Sequence, residues 1–103
     1  MELPPDTRIS RNDRAVFRKL TDGTSVALHL DSTAYHGLNT IGTLIWTSLE
    51  RERSYADLLG ALRRELDDAP SELGDDVSDY LRELRARDLV AFQDPPDDGA
   101  ASS

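Results

Sequence analysis

The stretch AYHGLNTIGTLIW, residues 34–46, decides how this chain is read. Its first five residues have the character of a short strand, and after Asn39 the residues Ile41, Leu44, Ile45 and Leu49 fall on one helical face. Asn is a favoured N-cap because its side chain accepts a hydrogen bond from an unpaired amide of the first turn. No turn sequence separates the two segments. A strand is therefore expected to run straight into a helix, which raises the question of whether that strand keeps a free edge.

Upstream, AVFRKL and SVALHL flank TDGT, whose Asp22-Gly23 pair is a hairpin signal. In the second segment Val26, Leu28 and Leu30 alternate with Ala27 and His29, giving one apolar face. The turn DST then leads into AYHGL as a third strand, and short connections of this kind predict an antiparallel meander. Three strands cannot close into a barrel, so both edge strands keep unpaired backbone groups.

Downstream, Ser54 and Asp57 in SYAD form a capping-box pattern, and Leu58, Leu59, Leu62 and Leu66 make the apolar stripe of a second helix. Pro70 ends that helix, and Ser71 is the expected cap of a third. The third helix is expected to bury Leu73, Val77, Leu81 and Leu84. Tyr80 falls on one margin of that stripe, with Asp76, Glu83 and Arg87 just beyond it, while Gly74, Ser78 and Arg85 occupy the other. DLVAF after it reads as a short terminal strand or a packed end. The fold class is α+β: a three-stranded antiparallel sheet followed by three helices, an order that suits a winged helix-turn-helix.

At 103 residues the chain holds one modest core. Residues 1–5 and 94–103, rich in Pro, Asp, Gly and Ser, are expected to be a mobile N-terminal tail and a disordered acidic C-terminal tail around a domain spanning 6–93. The absence of cysteine excludes disulfides, thiolate metal sites and a cysteine nucleophile. There is no signal-like start and no apolar run approaching the about 20 residues that span a bilayer, so a cytoplasmic monomer without a membrane association is expected.

The net charge of -8 is unevenly placed. From Asp6 to Leu38 five basic residues face four acidic ones; from Ser54 to Val90 five face ten. The third helix would therefore repel phosphates if it served as the recognition helix of a DNA-binding regulator, so no nucleic-acid partner is expected.

Nothing in the sequence assembles a catalytic or metal-binding group, and no cofactor is expected. His29 and His36 lie on strands with no hydrolase or metalloprotease pattern around them, and they read as half-exposed strand residues. The pairs Asp67/Asp68, Asp75/Asp76 and Asp97/Asp98 are sequence neighbours that do not converge across a pocket. What remains is peptide binding, because an extended peptide can add to a free sheet edge while adjacent pockets read its side chains.

The residues that carry the strand-to-helix junction also resemble a known family. Tyr35, Gly37, Leu38, Asn39, Gly42, Ile45 and Trp46, followed by Asp76, Val77, Tyr80, Leu81, Leu84, Leu89 and Val90, match the running pattern of the PqqD-like family over about residues 14–92. The resemblance implies a non-catalytic recognition element for ribosomally made, modified peptides, most similar to the free-standing recognition protein of lasso-peptide biosynthesis; the alternative is a PqqD-type chaperone for the PQQ precursor or a role in another modified-peptide pathway. It implies that a precursor's leader segment pairs with the third strand at Ala34, Tyr35, His36, Gly37 and Leu38. Val77, Tyr80, Leu81 and Leu84 would line the groove, flanked by Asp76, Asp79 and Glu83, whose charge would favour a lysine-rich leader. The implied partners are the leader, a cysteine-protease-type leader peptidase and an ATP-dependent cyclase.

Overall fold

Alternating residues between tight turns build the first half of the chain. The computed structural model describes residues 2–66 and 70–93, so the proposed C-terminal tail lies outside the described residues. Strands β2 (Ala15–Lys19), β3 (Ser25–His29) and β4 (Ala34–Leu38) form the expected antiparallel meander in the order β2-β3-β4. The β2–β3 turn places Gly23 at φ 87°, a left-handed conformation in which glycine carries no steric penalty.

The register pairs Val16 with Leu28 and Val26 with Gly37. Directly opposed residues share a face, so Phe17, Ser25, Ala27, His29 and Leu38 all point inward. The inner face packs on α1 (Thr40–Ser48), which begins, as expected, at Asn39: its Oδ1 accepts from the Gly42 amide at 2.9 Å. Trp46 of α1 is the largest fully buried side chain, and its ring stacks on Phe17 at 5.9 Å between centroids. Ser25 and Thr43 share a buried hydrogen bond of 2.7 Å between β3 and α1.

Helix α2 (Tyr55–Glu65) starts at Ser54, whose Oγ accepts from the Asp57 amide at 3.1 Å. It buries Tyr55, Leu58 and Leu62, with Leu59 and Leu66 half-buried. Helix α3 (Leu73–Ala86) buries the expected Leu73, Val77, Leu81 and Leu84. Its cap position is Glu72 rather than Ser71, and no side chain accepts from the first turn there. The turn is set instead by the Leu73 amide donating to the Pro70 carbonyl at 3.1 Å.

A second antiparallel sheet went unforeseen in part. Strand β1 (Arg8–Arg11) sits between β5 (Arg53–Ser54) and β6 (Val90–Gln93), the last being the terminal strand that DLVAF suggested. The N-terminal residues also depart from expectation, because the described part of the supposed mobile tail is docked. Leu3 is buried, its amide donates to Ser78 Oγ at 3.0 Å, and the Ala56 amide donates to the Pro5 carbonyl at 3.0 Å. One well-placed apolar side chain and backbone bonds to two helices hold a segment whose composition alone suggested a tail. The architecture is α+β and is compatible with a winged helix.

Candidate functional site

Strand β4 is an edge: among the described residues it pairs with β3 alone. Which of its backbone groups are free follows from the ladder on the far side of β3. The Leu30 amide donates to the Arg14 carbonyl at 2.7 Å and the Leu20 amide to the Thr24 carbonyl at 2.8 Å, so the even-numbered residues of β3 face β2. The odd-numbered residues, Ser25, Ala27 and His29, therefore face β4, where their partners are Leu38, His36 and Ala34. That leaves the N–H and C=O groups of Tyr35 and Gly37 pointing outward. Ala34, His36 and Leu38, expected to offer backbone groups, direct theirs to β3.

The outward series is closed at both ends. One step beyond Gly37, the Asn39 amide donates to the Tyr80 hydroxyl at 3.3 Å. At the other end, Thr33 turns back with φ 56° and its amide donates to the His29 carbonyl at 2.7 Å. Tyr80 itself lies against Gly42, where any Cβ would collide with the phenol ring. A half-buried tyrosine thus reaches from α3 to the β4–α1 junction, and a side-chain-free position in α1 admits it.

This contact settles which flank of α3 faces the edge strand. The Tyr80 margin does; the opposite margin, Gly74 and Ser78, is covered by Glu2 and Leu3. On the covered side the Tyr55 hydroxyl shares its proton between Glu2 Oε2 and the Gly74 carbonyl, each at 2.8 Å. Burial, and then the Glu2 carboxylate, push the Tyr55 phenol up to about 12, against a hydrogen bond with Ser78 that acts the other way.

The other residues named from sequence separate into two layers. Val77, Leu81 and Leu84 are fully buried, and Leu38 nearly so; they belong to the hydrophobic core and leave almost no surface with which to line a groove. Asp76, Asp79 and Glu83 are exposed on α3, but two of the three are already partnered, Asp79 with Arg82 at 3.3 Å and Glu83 with Arg87 at 2.7 Å. The acidic field beside the edge is correspondingly weaker than the carboxylate count implies.

The histidines diverge. His36 is half-buried, as expected, but His29 is only 4% exposed. Its Nε2 lies 3.0 Å from the Asp88 carboxylate, and its Nδ1 accepts from the Asp31 and Ser32 amides at 3.2 and 3.4 Å. With both nitrogens bound to neighbouring loops, His29 ties the β3–β4 turn to the end of α3 as a structural residue. Among the described residues no group of three or more acidic or histidine side chains converges as a metal site would require.

The apolar face expected from Val26, Leu28 and Leu30 is turned away from the core, and the face that carries Ala27 and His29 is the buried one. Val16, Leu20, Leu30 and Tyr35, the exposed large apolar residues of the described chain, all lie on the outer face of β2-β3-β4 together with half-buried Val26 and Leu28. Their even spacing along β2 and β3 was visible in the sequence. Only the pairing shows that they share one face and that this face is the one turned away from the core.

The family model described as Coenzyme PQQ synthesis protein D (PqqD) matches residues 24–90. Among solved structures, TbiB1 in complex with the TbiA(beta) leader peptide is similar, with a TM-score of 0.68 and 27% identity over 85% of this chain and 99% of that one. No curated protein matches. No helix among the described residues is long and apolar enough to cross a membrane.

Proposed function

The chain belongs to the PqqD family, and on that premise we propose that it binds the leader segment of a ribosomally made precursor peptide as a strand added to β4, doing no chemistry itself. The observation that carries this reading is the open edge beside α3: two residues with outward backbone groups, Tyr35 and Gly37, bounded by the Tyr80 hydroxyl. Main-chain hydrogen bonds would supply affinity there, and the surface between the edge and the Tyr80 margin would supply preference. The likeness to a solved chain whose partner is a leader peptide supports the same reading.

The pathway we propose is lasso-peptide biosynthesis, in which the bound leader is presented to a leader peptidase and an ATP-dependent cyclase in the cytoplasm. The outer apolar face of β2-β3-β4 supports the docking of a protein partner, since exposed apolar residues gathered on one face mark interaction surfaces.

Fluorescence-polarisation titration tests the core of the reading, with the TbiA(beta) leader peptide and a displayed library of short random peptides as probes. Saturable binding is expected, weakened by about tenfold in Tyr80→Ala. Tyr35→Pro deletes an outward amide while leaving the β3 ladder intact, and it should lower affinity more than Tyr35→Ala. Equal affinity for the proline and alanine variants would refute strand addition at this edge.

A further inference from the structure

Each glycine of a strand or helix weakens the element that holds it, so a glycine with no local reason invites a question about what approaches it. In this chain the reasons can be checked one by one. Gly23 occupies a left-handed turn, Gly42 admits the Tyr80 ring, and Gly74 lies under the Glu2 side chain. Gly60 would meet only the end of the Arg64 side chain, at 3.8 Å, on a half-exposed part of α2.

Gly37 is different because of where it lies. It is exposed, its φ is not left-handed, and a Cβ there would meet nothing within 4 Å. Neither its own backbone nor the packing of this chain requires glycine. Yet it stands on the open edge strand, as one of the two residues with free outward backbone groups. Its cross-strand partner is Val26, and two residues away Tyr35, 73% exposed, stands opposite Leu28. The absent side chain leaves a bare spot on the outer face, beside Val26 and Tyr35, in a row whose far end on β2 is Arg18.

We propose that Gly37 is a specificity notch, which seats one large apolar side chain, best an aromatic one, from the leader residue paired directly opposite it. The inference rests on the strand-addition reading above and deepens it by naming what the edge selects. The geometry follows from the ladder. Directly opposed residues on neighbouring strands project to the same face, so the leader residue opposite Gly37 must place its side chain on the outer face, beside the bare spot. A flat ring there can lean over the glycine onto Val26 and against Tyr35, covering apolar surface that the free protein leaves wet; an aromatic residue set across from an edge glycine is a known way of covering such a gap.

The closed ends sharpen the selection. With the Asn39 amide held by Tyr80 and the Thr33 amide held by His29, the added strand has Tyr35 and Gly37 to pair with. One leader position then meets the notch, and the next outer-face position, two residues along, meets the Tyr35 ring. A side chain at residue 37 would fill the notch and push the leader ring outward without disturbing anything in the free chain.

The test is a size-exchange experiment. Short peptides are selected from a displayed random library against the wild-type chain and against Gly37→Val, with circular dichroism and thermal unfolding confirming that the variant is folded; valine suits an edge strand with open space. Wild-type binders are expected to share a large apolar residue at one position. Against Gly37→Val the same flanking pattern should return with Gly, Ala or Ser at that position. A wild-type binder should lose about tenfold in affinity for Gly37→Val, and its small-residue version should regain most of that loss with the variant. Binders that are lost on Tyr35→Pro but bind wild type and Gly37→Val equally overturn the notch alone. Binders indifferent to Tyr35→Pro overturn strand addition, and the notch with it.

Discussion

The two margins of α3 are built alike and finished differently. Each has a neighbouring glycine that makes room for an incoming group: Gly74 for the Glu2–Leu3 segment on one side, and Gly42 of α1 for Tyr80 on the other. Each carries one long-range hydrogen bond to a backbone amide, from Leu3 to Ser78 Oγ and from Asn39 to the Tyr80 hydroxyl. On the first side the chain's own N-terminal residues fill the groove and bury an apolar side chain. On the second, Tyr80 closes only the end of an edge and leaves the outward groups of Tyr35 and Gly37 open. One helix thus has a flank completed within the molecule and a flank that a second chain can complete.

That contrast can be broken most forcefully from the covered side. Leu3→Ala removes a buried side chain that no other residue replaces, and it should cost about 2 kcal/mol in chemical denaturation. Leader affinity, measured on the folded protein, should stay unchanged. If affinity fell along with stability, the two margins would be coupled and the contrast would fail.

On the open side the expected stability effect is smaller and the binding effect larger. Tyr80→Phe keeps the ring against Gly42 but removes the acceptor for the Asn39 amide, a loss of about 1 kcal/mol. Hydrogen exchange at the Asn39 amide should accelerate, and leader peptides should bind more weakly, because the end of the ladder is no longer held. Unchanged exchange at Asn39 would show that the hydroxyl does not hold it.

The smallest effect lies in the titration of the covered flank. The Tyr55 phenol is pushed up to about 12 from an ordinary 10.0, so its folded form holds the proton longer than the unfolded chain does. The stabilisation it gives is complete below the ordinary value and is lost as pH rises from about 10 to about 12, where the unfolded chain ionises first. An ultraviolet titration of the tyrosines should resolve one late step. Glu2→Gln should move that step toward lower pH by removing the carboxylate that opposes ionisation, and an unmoved step would take Glu2 out of the account.

Much of this architecture was legible along the chain, for reasons that are local. The Asp22-Gly23 turn, the caps at Asn39 and Ser54, and the four-residue spacings of Leu73, Val77 and Leu81 depend on residues within a turn or two of one another. The strand-to-helix junction at Asn39 and the position of Tyr80 at the edge of its stripe were likewise readable. The expected N-cap at Ser71 failed because a carbonyl three residues back from Leu73 met that amide without help from a side chain. The docked N-terminal residues and the half-buried reading of His29 failed because their partners, Ser78 and Asp88, lie more than fifty residues away.

The sequence by itself determined the three helices of the described residues, the meander of three strands and an edge strand running into a helix. It also placed a glycine, Gly37, on that strand. The tertiary structure alone decided which residues of that edge look outward, because alternation along a strand is fixed only once its partner's own partner is known, and a shift of one residue exchanges the two sets. Pairing of β3 with β2 assigns Tyr35 and Gly37 to the outside and leaves Ala34, His36 and Leu38 bound within the sheet. Packing across α3 decided which flank stays open, since the Leu3 segment fills one side and Tyr80 reaches only to Asn39 on the other.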